Sequence, residues 1–233
     1  MPLLSADLGS REVWPQRFVP PHKSHIPSVS GGRLAFLPSL IAKDSFVNPS
    51  TIDTDGISVS HAGASVAGTT SMTIGGALAS GGVATLTPAR NVVITVTHAS
   101  SVVAMSGTIT GKDMYGRIIT EAWSVTATGT SKTFTGAVAF KTITSITEVI
   151  AADASTNTII VGDGKKLGLS FKAATPRIVA ETEDGALPTA GTIVAASAAA
   201  NADYRGTYAP NSTLNGALDF VVYYIVDDIT VQP

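Results

Sequence analysis

The sequence predicts a mainly β fold, a β-sandwich or barrel, preceded by an extended proline-rich N-terminal arm. Three observations predict it. Apolar and polar residues alternate with a period of two through residues 92–127. Seven of the 12 prolines lie within the first fifty residues. Strand-like runs then recur at short intervals to the end of the chain, as in sandwiches and barrels. We therefore divide the chain into an arm, residues 1–50, and a β-rich body, residues 51–233.

The arm combines stiffness with large apolar side chains. Each proline fixes its own φ, removes a backbone donor and biases the preceding residue to extended geometry. A disordered linker would be poor in aromatic residues, whereas this segment contains four candidate anchors for a protein interface: Trp14, Phe18, Phe36 and Phe46. The arm lies either along another subunit or around its own body, and we favour the neighbour slightly. A short helical turn is predicted at residues 39–43.

Residues 92–127 are the predicted centre of the body. Two alternating runs flank the polar turn at residues 112–116, and a Gly/Asp turn between alternating runs is a strong hairpin signal. Further strands are predicted at 57–60, 70–74, 83–86, 92–97, 132–140, 142–150, 158–161, 167–171, 176–181, 192–196, 206–208 and 218–226. The last run is apolar on both faces, which predicts a central strand between two layers or a strand covered by a partner.

The composition points to a surface that is covered by other protein chains. Charged residues make up 14% of the chain, against about 25% in an ordinary soluble domain, and the mean hydropathy is +0.30. From Gly56 to Gly111 the only formally charged residue is Arg90. That stretch is therefore either buried on both faces or packed against neighbouring subunits. The net charge of −2 and the absence of long apolar runs argue against nucleic-acid and membrane partners.

Motifs that could carry chemistry are weak. Asp53–Gly56 resembles the start of a calcium loop but lacks its later ligands, so we predict a turn. Residues 162–168 lack the spacing of a phosphate loop, so we predict a solvated hairpin turn. His22 and His25 lie among prolines without further ligands, and His61 and His98 are expected to make ordinary hydrogen bonds.

No catalytic, cofactor-binding or metal-ligating residue is predicted. The chain contains no cysteine, which excludes disulfides and thiolate chemistry. No Gly-x-Ser-x-Gly elbow occurs, and the acids fall mostly at predicted turns, with Glu121 inside a strand as the exception. A Ser–His–Asp triad assembles only in space, so the sequence leaves it open. Because no motif of a catalytic or metal site is present in the sequence, the chain is expected not to be an enzyme.

Four stretches together resemble virion structural proteins of tailed bacteriophages. They are residues 107–117 (GTITGKDMYGR), 139–146 (AFKTITSI), 161–169 (VGDGKKLGL) and 203–210 (DYRGTYAP). The resemblance implies a capsid-associated role, most like that of a cement or decoration protein, and it carries over no catalytic residue. Its implied location is the virion, after synthesis in the cytoplasm of the host bacterium, where the lack of a signal peptide also places folding.

The expected partners are the major capsid protein and further copies of the chain in a homo-oligomer, for which we expect a trimer. Two other functions stay open at this point. One is a tail, neck or head-fibre protein with receptor contact, and the other is a small β-fold hydrolase acting on the cell wall.

Overall fold

A computed structural model describes residues 40–195 and 205–226, and these residues form an all-β body without a helix. The strands are β1 (Leu40–Phe46), β2 (Ser58–Ala62), β3 (Gly68–Ser71), β4 (Ala79–Ser80), β5 (Val83–Thr97), β6 (Met105–Lys112), β7 (Ile118–Val125), β8 (Ser131–Thr135), β9 (Phe140–Ile150), β10 (Thr158–Gly168), β11 (Ala173–Glu183), β12 (Thr192–Ala195), β13 (Gly206–Ala209) and β14 (Phe220–Val226). A search of these two ranges for a helix capable of crossing a bilayer finds none.

The strands form one small and one large sheet. The small sheet has the order β1-β14-β11. The large sheet has the order β12-β13-β10-β5-β9-β6-β7, with β2 added to β10, β3 to β9, and β4 and β8 to β5. The large sheet curls into a half-barrel, and Glu121 of β7 accepts hydrogen bonds from the backbone of Ala137 and Val138, directly after β8. The predicted mainly β fold is confirmed.

The predicted hairpin at the centre of the body is confirmed as β6 and β7. These strands pair in register from Met105 opposite Val125 to Lys112 opposite Ile118. Trp123 is 2% exposed in the core and donates its indole N–H to the carbonyl of Thr147 at 3.0 Å. Strand β5 does not join this hairpin directly, because β9 lies between β5 and β6.

The helical turn predicted at residues 39–43 is wrong, because residues 40–43 belong to β1. The buried residues of β1 are Ala42, Asp44 and Phe46. This spacing of two residues is the period of a strand rather than of a helix. Phe46 is 8% exposed and stacks on Tyr208 of β13 at a centroid distance of 6.2 Å. Its own chain therefore buries this candidate anchor, whereas Trp14, Phe18 and Phe36 lie outside the described residues.

The solvated turn predicted at residues 162–168 is also wrong. Residues 158–168 form one continuous strand, β10, in which Gly162, Asp163 and Gly164 are buried. The segment pairs with β5 from Thr158 to Asp163, and the register shifts between Asp163 and Leu167. Asp53, Arg90 and Asn91, which are distant in sequence, bond this segment and hold it extended.

Candidate functional site

The surface that differs most from an ordinary protein surface is formed by residues 58–71, which we call the neutral edge. It comprises β2, β3 and the loop between them, and it contains no Asp, Glu, Lys or Arg. Val59 is 53% exposed and Val66 is 73% exposed. Among the described strands, β2 pairs only with β10, and β3 pairs only with β9. Each strand therefore leaves one side of its backbone ladder open.

Glu148 of β9 fastens the neutral edge through hydrogen bonds on its buried side. Its side chain is buried, and its Oε1 accepts hydrogen bonds from the backbone N–H of Ala64 at 2.9 Å and from the Thr70 hydroxyl at 2.7 Å. The Gly63 N–H donates to the carbonyl of Asn157 at 3.1 Å, and the Ala154 N–H donates to the carbonyl of Ala64 at 2.9 Å. The loop is therefore fixed at both ends, so a partner would meet a preorganised surface.

The one titratable side chain of the neutral edge is His61. Its Nε2 lies 4.0 Å from Oε2 of Glu148, beyond hydrogen-bond distance, and its buried Nδ1 has no hydrogen-bond partner among the described residues. The ordinary hydrogen bonds predicted for His61 are therefore not observed. Burial lowers the pKa of His61, and the attraction of Glu148 opposes this shift only in part. The imidazole is consequently neutral at pH 7, and the edge keeps its uncharged character there.

A buried ion pair joins Asp163 of β10 to Arg90 of β5, and Asp163 also bonds Asp53 in the stretch predicted to be a turn. The Asp163 N–H donates to the carbonyl of Asp53 at 3.0 Å, and the Asp53 N–H donates to Oδ1 of Asp163 at 2.6 Å. The fully buried Arg90 donates from Nη1 to Oδ2 of Asp163 at 2.6 Å and from Nη2 to the carbonyl of Ser50, also at 2.6 Å. Burial raises the pKa of Asp163, while Arg90 and the Asp53 N–H act in the opposite direction.

The side chain of Asn91 contacts the segment that resembled a phosphate loop. Its Oδ1 accepts the backbone N–H of Lys166 at 3.0 Å, and its Nδ2 donates to the carbonyl of Gly136 at 3.0 Å. A Cβ on Gly164 would collide with the Asn91 side chain, so the two residues are in direct contact. The Lys166 N–H is thus already used, and Asn91 joins β10 to Gly136, the residue that follows β8.

A second buried acid joins the β6–β7 hairpin to the chain beside β13. Asp113, in the turn of the β6–β7 hairpin, accepts hydrogen bonds from Nε of Arg117 at 2.8 Å and from the Tyr115 N–H at 2.8 Å, and it pairs with Arg205 beside β13. Burial raises the pKa of Asp113, but the bonds from Arg117 and the charge of Arg205 outweigh it, and the net shift is downward. The Arg205 guanidinium also stacks 4.2 Å from the Tyr115 ring centroid.

An open groove of about 600 Å³ lies between β11 and β12. Glu181 at its base is buried and accepts hydrogen bonds from the Gly191 N–H at 2.7 Å and the Tyr208 hydroxyl at 2.8 Å. Burial raises the pKa of Tyr208, and the hydrogen bond to Glu181 adds to the shift. Glu181 of β11 therefore fastens Tyr208 of β13 and the residue that precedes β12.

The other candidate residues have ordinary roles where the structure describes them. His98 accepts the backbone N–H groups of Ser100 and Ser101 at Nδ1 and bonds the Thr156 hydroxyl through Nε2. Within residues 40–195 and 205–226, no three His, Cys, Asp or Glu side chains converge as metal ligands would. His22 and His25 lie outside these ranges.

Sequence reasoning missed the central role of Glu148 and the pairing of Arg90 with Asp163. A lone arginine in an uncharged stretch was the available signal, because such a residue is buried only with a carboxylate partner.

No family model, no curated protein and no solved structure matches this chain.

Proposed function

We propose that this chain is a structural virion protein of a tailed bacteriophage, a capsid cement or decoration protein that binds and stabilises the icosahedral head shell. The neutral edge is the observation that supports this proposal. Soluble β proteins commonly place Lys or another charged residue on open strand edges. Here β2 carries the exposed Val59, the loop between β2 and β3 carries the exposed Val66, and neither strand carries a formal charge. A partner chain that covers them removes both the apolar side chains and the open ladders from water.

The proposed partner is the major capsid protein, and the proposed activity is binding rather than catalysis. An uncharged surface loses no ion hydration when it is buried, so its apolar area contributes fully to the interface. Open ladders can also accept an extended segment of the partner as an added strand. A specific interface of about 1,200–2,000 Å² would include the neutral edge and the N-terminal arm. Repetition over the shell, with the chain acting as a homo-oligomer at subunit junctions, then multiplies individually weak contacts.

The first test is a double substitution, Val59→Glu with Val66→Glu. Both side chains are exposed, so the body should fold normally, while two carboxylates would have to be desolvated at the interface. We expect the dissociation constant for empty head shells of the same phage, measured by co-sedimentation, to rise about tenfold or more. Leu187→Glu is the matched control, because Leu187 is 87% exposed but lies beside the groove.

Two results would refute the proposal. The unmodified protein could fail to bind shells and leave their melting temperature unchanged, or the double variant could bind as tightly as the unmodified protein.

The contribution of the arm is tested by removing residues 1–39. A longer deletion through residue 50 would also remove β1, with the buried Asp44 and Phe46, and would damage the body. We expect the deletion to weaken shell binding, and Trp14→Ala or Phe18→Ala to account for part of the loss. Full binding after the deletion would exclude the arm from the interface.

A further inference from the structure

His61 lies in a position at the neutral edge that suits only the uncharged form of its ring. Its side chain is 26% exposed, and its buried Nδ1 has no hydrogen-bond partner among the described residues. A neutral imidazole carries one N–H, which Nε2 can hold on the side of Glu148, whereas an imidazolium carries an N–H on each nitrogen. The second N–H would be a buried donor without an acceptor, which is costly.

Among the described residues, Glu148 is the one charged group that faces His61. Strand β10, which pairs with β2, has no charged residue from Thr158 to Gly162, and residues 62–76, which follow β2, have none either. Asp153, in the loop before β10, is exposed to solvent. Burial lowers the pKa of His61, and the attraction of Glu148 offsets this shift only in part. The protonated ring is therefore better accommodated in water than in its place beside Glu148.

The carboxylate beside His61 also fixes the loop of the neutral edge. Oε1 of Glu148 accepts the Ala64 N–H and the Thr70 hydroxyl, while its Oε2 is buried without a hydrogen-bond partner. The ring of His61 already reaches the surface, so it can turn outward without the unfolding of β2. Water then reaches Oε2 and competes with Ala64 and Thr70 for the carboxylate.

We propose that His61 is an acid-operated switch of the neutral edge: its protonation drives the imidazole away from Glu148 and loosens the loop at residues 63–67 that Glu148 holds. The edge then carries a positive charge and loses its preorganised form. Both changes weaken an interface that depends on an uncharged, fixed surface. The effect on a partner thus rests on the proposed function, whereas the opening itself requires no partner.

Amide hydrogen exchange of the full-length chain, followed by NMR, measures the opening without a partner. The Ala64 N–H, which bonds Glu148, reports on the loop, and the Gly136 N–H, which bonds Val92, is the control amide. We expect the protection factor of Ala64, corrected for intrinsic exchange, to fall about fivefold between pH 7 and pH 5.5, because a proton that binds the open form more tightly favours it. That of Gly136 should stay constant, and the ring of His61 should titrate below its ordinary value of 6.5.

His61→Gln is the decisive variant, because glutamine takes up no proton in this range. We expect it to abolish the pH dependence of Ala64 protection, whereas the matched control His98→Gln should keep it. His98 is the other histidine of the described residues, and it bonds the Thr156 hydroxyl. Circular dichroism verifies that both variants are folded.

Three results would overturn the switch. Ala64 protection could be independent of pH in the unmodified protein, or its pH dependence could persist in His61→Gln. Acid could also raise the protection of Ala64, which would mean that the protonated ring pairs with Glu148 and tightens the edge.

Co-sedimentation with empty head shells at pH 7 and pH 5.5 tests the effect on a partner. We expect acid to raise the dissociation constant about fivefold for the unmodified protein but not for His61→Gln, a comparison that removes any titration of the shell itself. Absence of shell binding at both pH values would refute the proposed function, while the exchange of Ala64 would still decide the switch. Equal pH dependence of binding in the two proteins would overturn the control of the partner by His61.

Discussion

Replacement of Arg90 by Met is expected to destabilise the body by about 3–5 kcal/mol at pH 7, the usual cost of leaving one member of a buried ion pair without its partner. Arg90 is 0% exposed and makes hydrogen bonds of 2.6 Å both to Asp163 and to the carbonyl of Ser50. Met fills a similar volume but satisfies neither acceptor. The loss should shrink as the pH falls, because the pKa of Asp163, already raised by burial, would rise further without Arg90 and the carboxyl would take up a proton.

Urea unfolding followed by Trp123 fluorescence, in a Trp14→Phe background, measures this effect. With a denaturant slope of about 2 kcal/mol per molar, the midpoint should fall by about 1.5–2.5 M. Asp163→Asn and the double variant complete a thermodynamic cycle, and we expect the two single losses to exceed the double loss by about 2–3 kcal/mol. A midpoint shift below about 0.5 M, or strictly additive losses, would refute the view that this pair fastens β10 to β5.

Three further substitutions test other parts of the body. Gly162→Ala should lower the free energy of unfolding by about 1–3 kcal/mol, because the new Cβ would meet a backbone carbonyl. In the control Gly75→Ala, the nearest contact of the new Cβ would be at 3.8 Å, and the free energy of unfolding should stay within about 0.5 kcal/mol. Equal urea midpoints for the two variants would contradict this. The folded-state pKa of His61 lies below its ordinary value of 6.5, so its share of the stability is intact above that pH and is lost as the pH falls below it. His61→Gln should therefore lose less melting temperature than the unmodified protein between pH 7 and pH 5, and parallel losses would show that another group is responsible. Tyr224→Phe should cost about 1–3 kcal/mol, because Asp44 loses the hydroxyl donor but keeps a backbone N–H; an unchanged midpoint would mean that water replaces the hydroxyl.

The parts of the fold that local signals determine could be predicted from the sequence. The β6–β7 hairpin follows from alternation on both sides of a short turn, and the central position of β14 follows from its two apolar faces. The strand at Gly162–Gly164 could not be predicted, because its composition favours a turn and only distant residues, Arg90 and Asn91, keep it extended. The strand at β1 was missed for a similar reason, since Asp44 reads as polar until Tyr224 is brought beside it.

The neutral edge was foreseeable only in part. The absence of charge from Gly56 to Gly111 predicted a stretch that is buried on both faces or covered by neighbouring subunits. In a single chain, the first alternative leaves the side chains buried and the second leaves them exposed. The structure separates them within that stretch. Strand β5 lies in the interior, with Val92, Ile94 and Val96 fully buried, whereas β2 and β3 lie at the surface. Exposure depends on which strands flank each segment, and a single sequence does not state those pairings.

The position of β9 between β5 and β6 has a consequence for how the chain is made. During synthesis from the N-terminus, β5 and the β6–β7 hairpin leave the ribosome before the strand that joins them has emerged. The large sheet therefore cannot form until residue 150 has emerged, and the strand that carries Asp163 cannot pair until residue 168 has emerged. In the meantime, β5 and the β6–β7 hairpin expose apolar side chains and unpaired backbone groups to water. We expect production of this chain in cells to depend on chaperones that shield this interval, and slower elongation before residue 150 has emerged to increase the share of insoluble product.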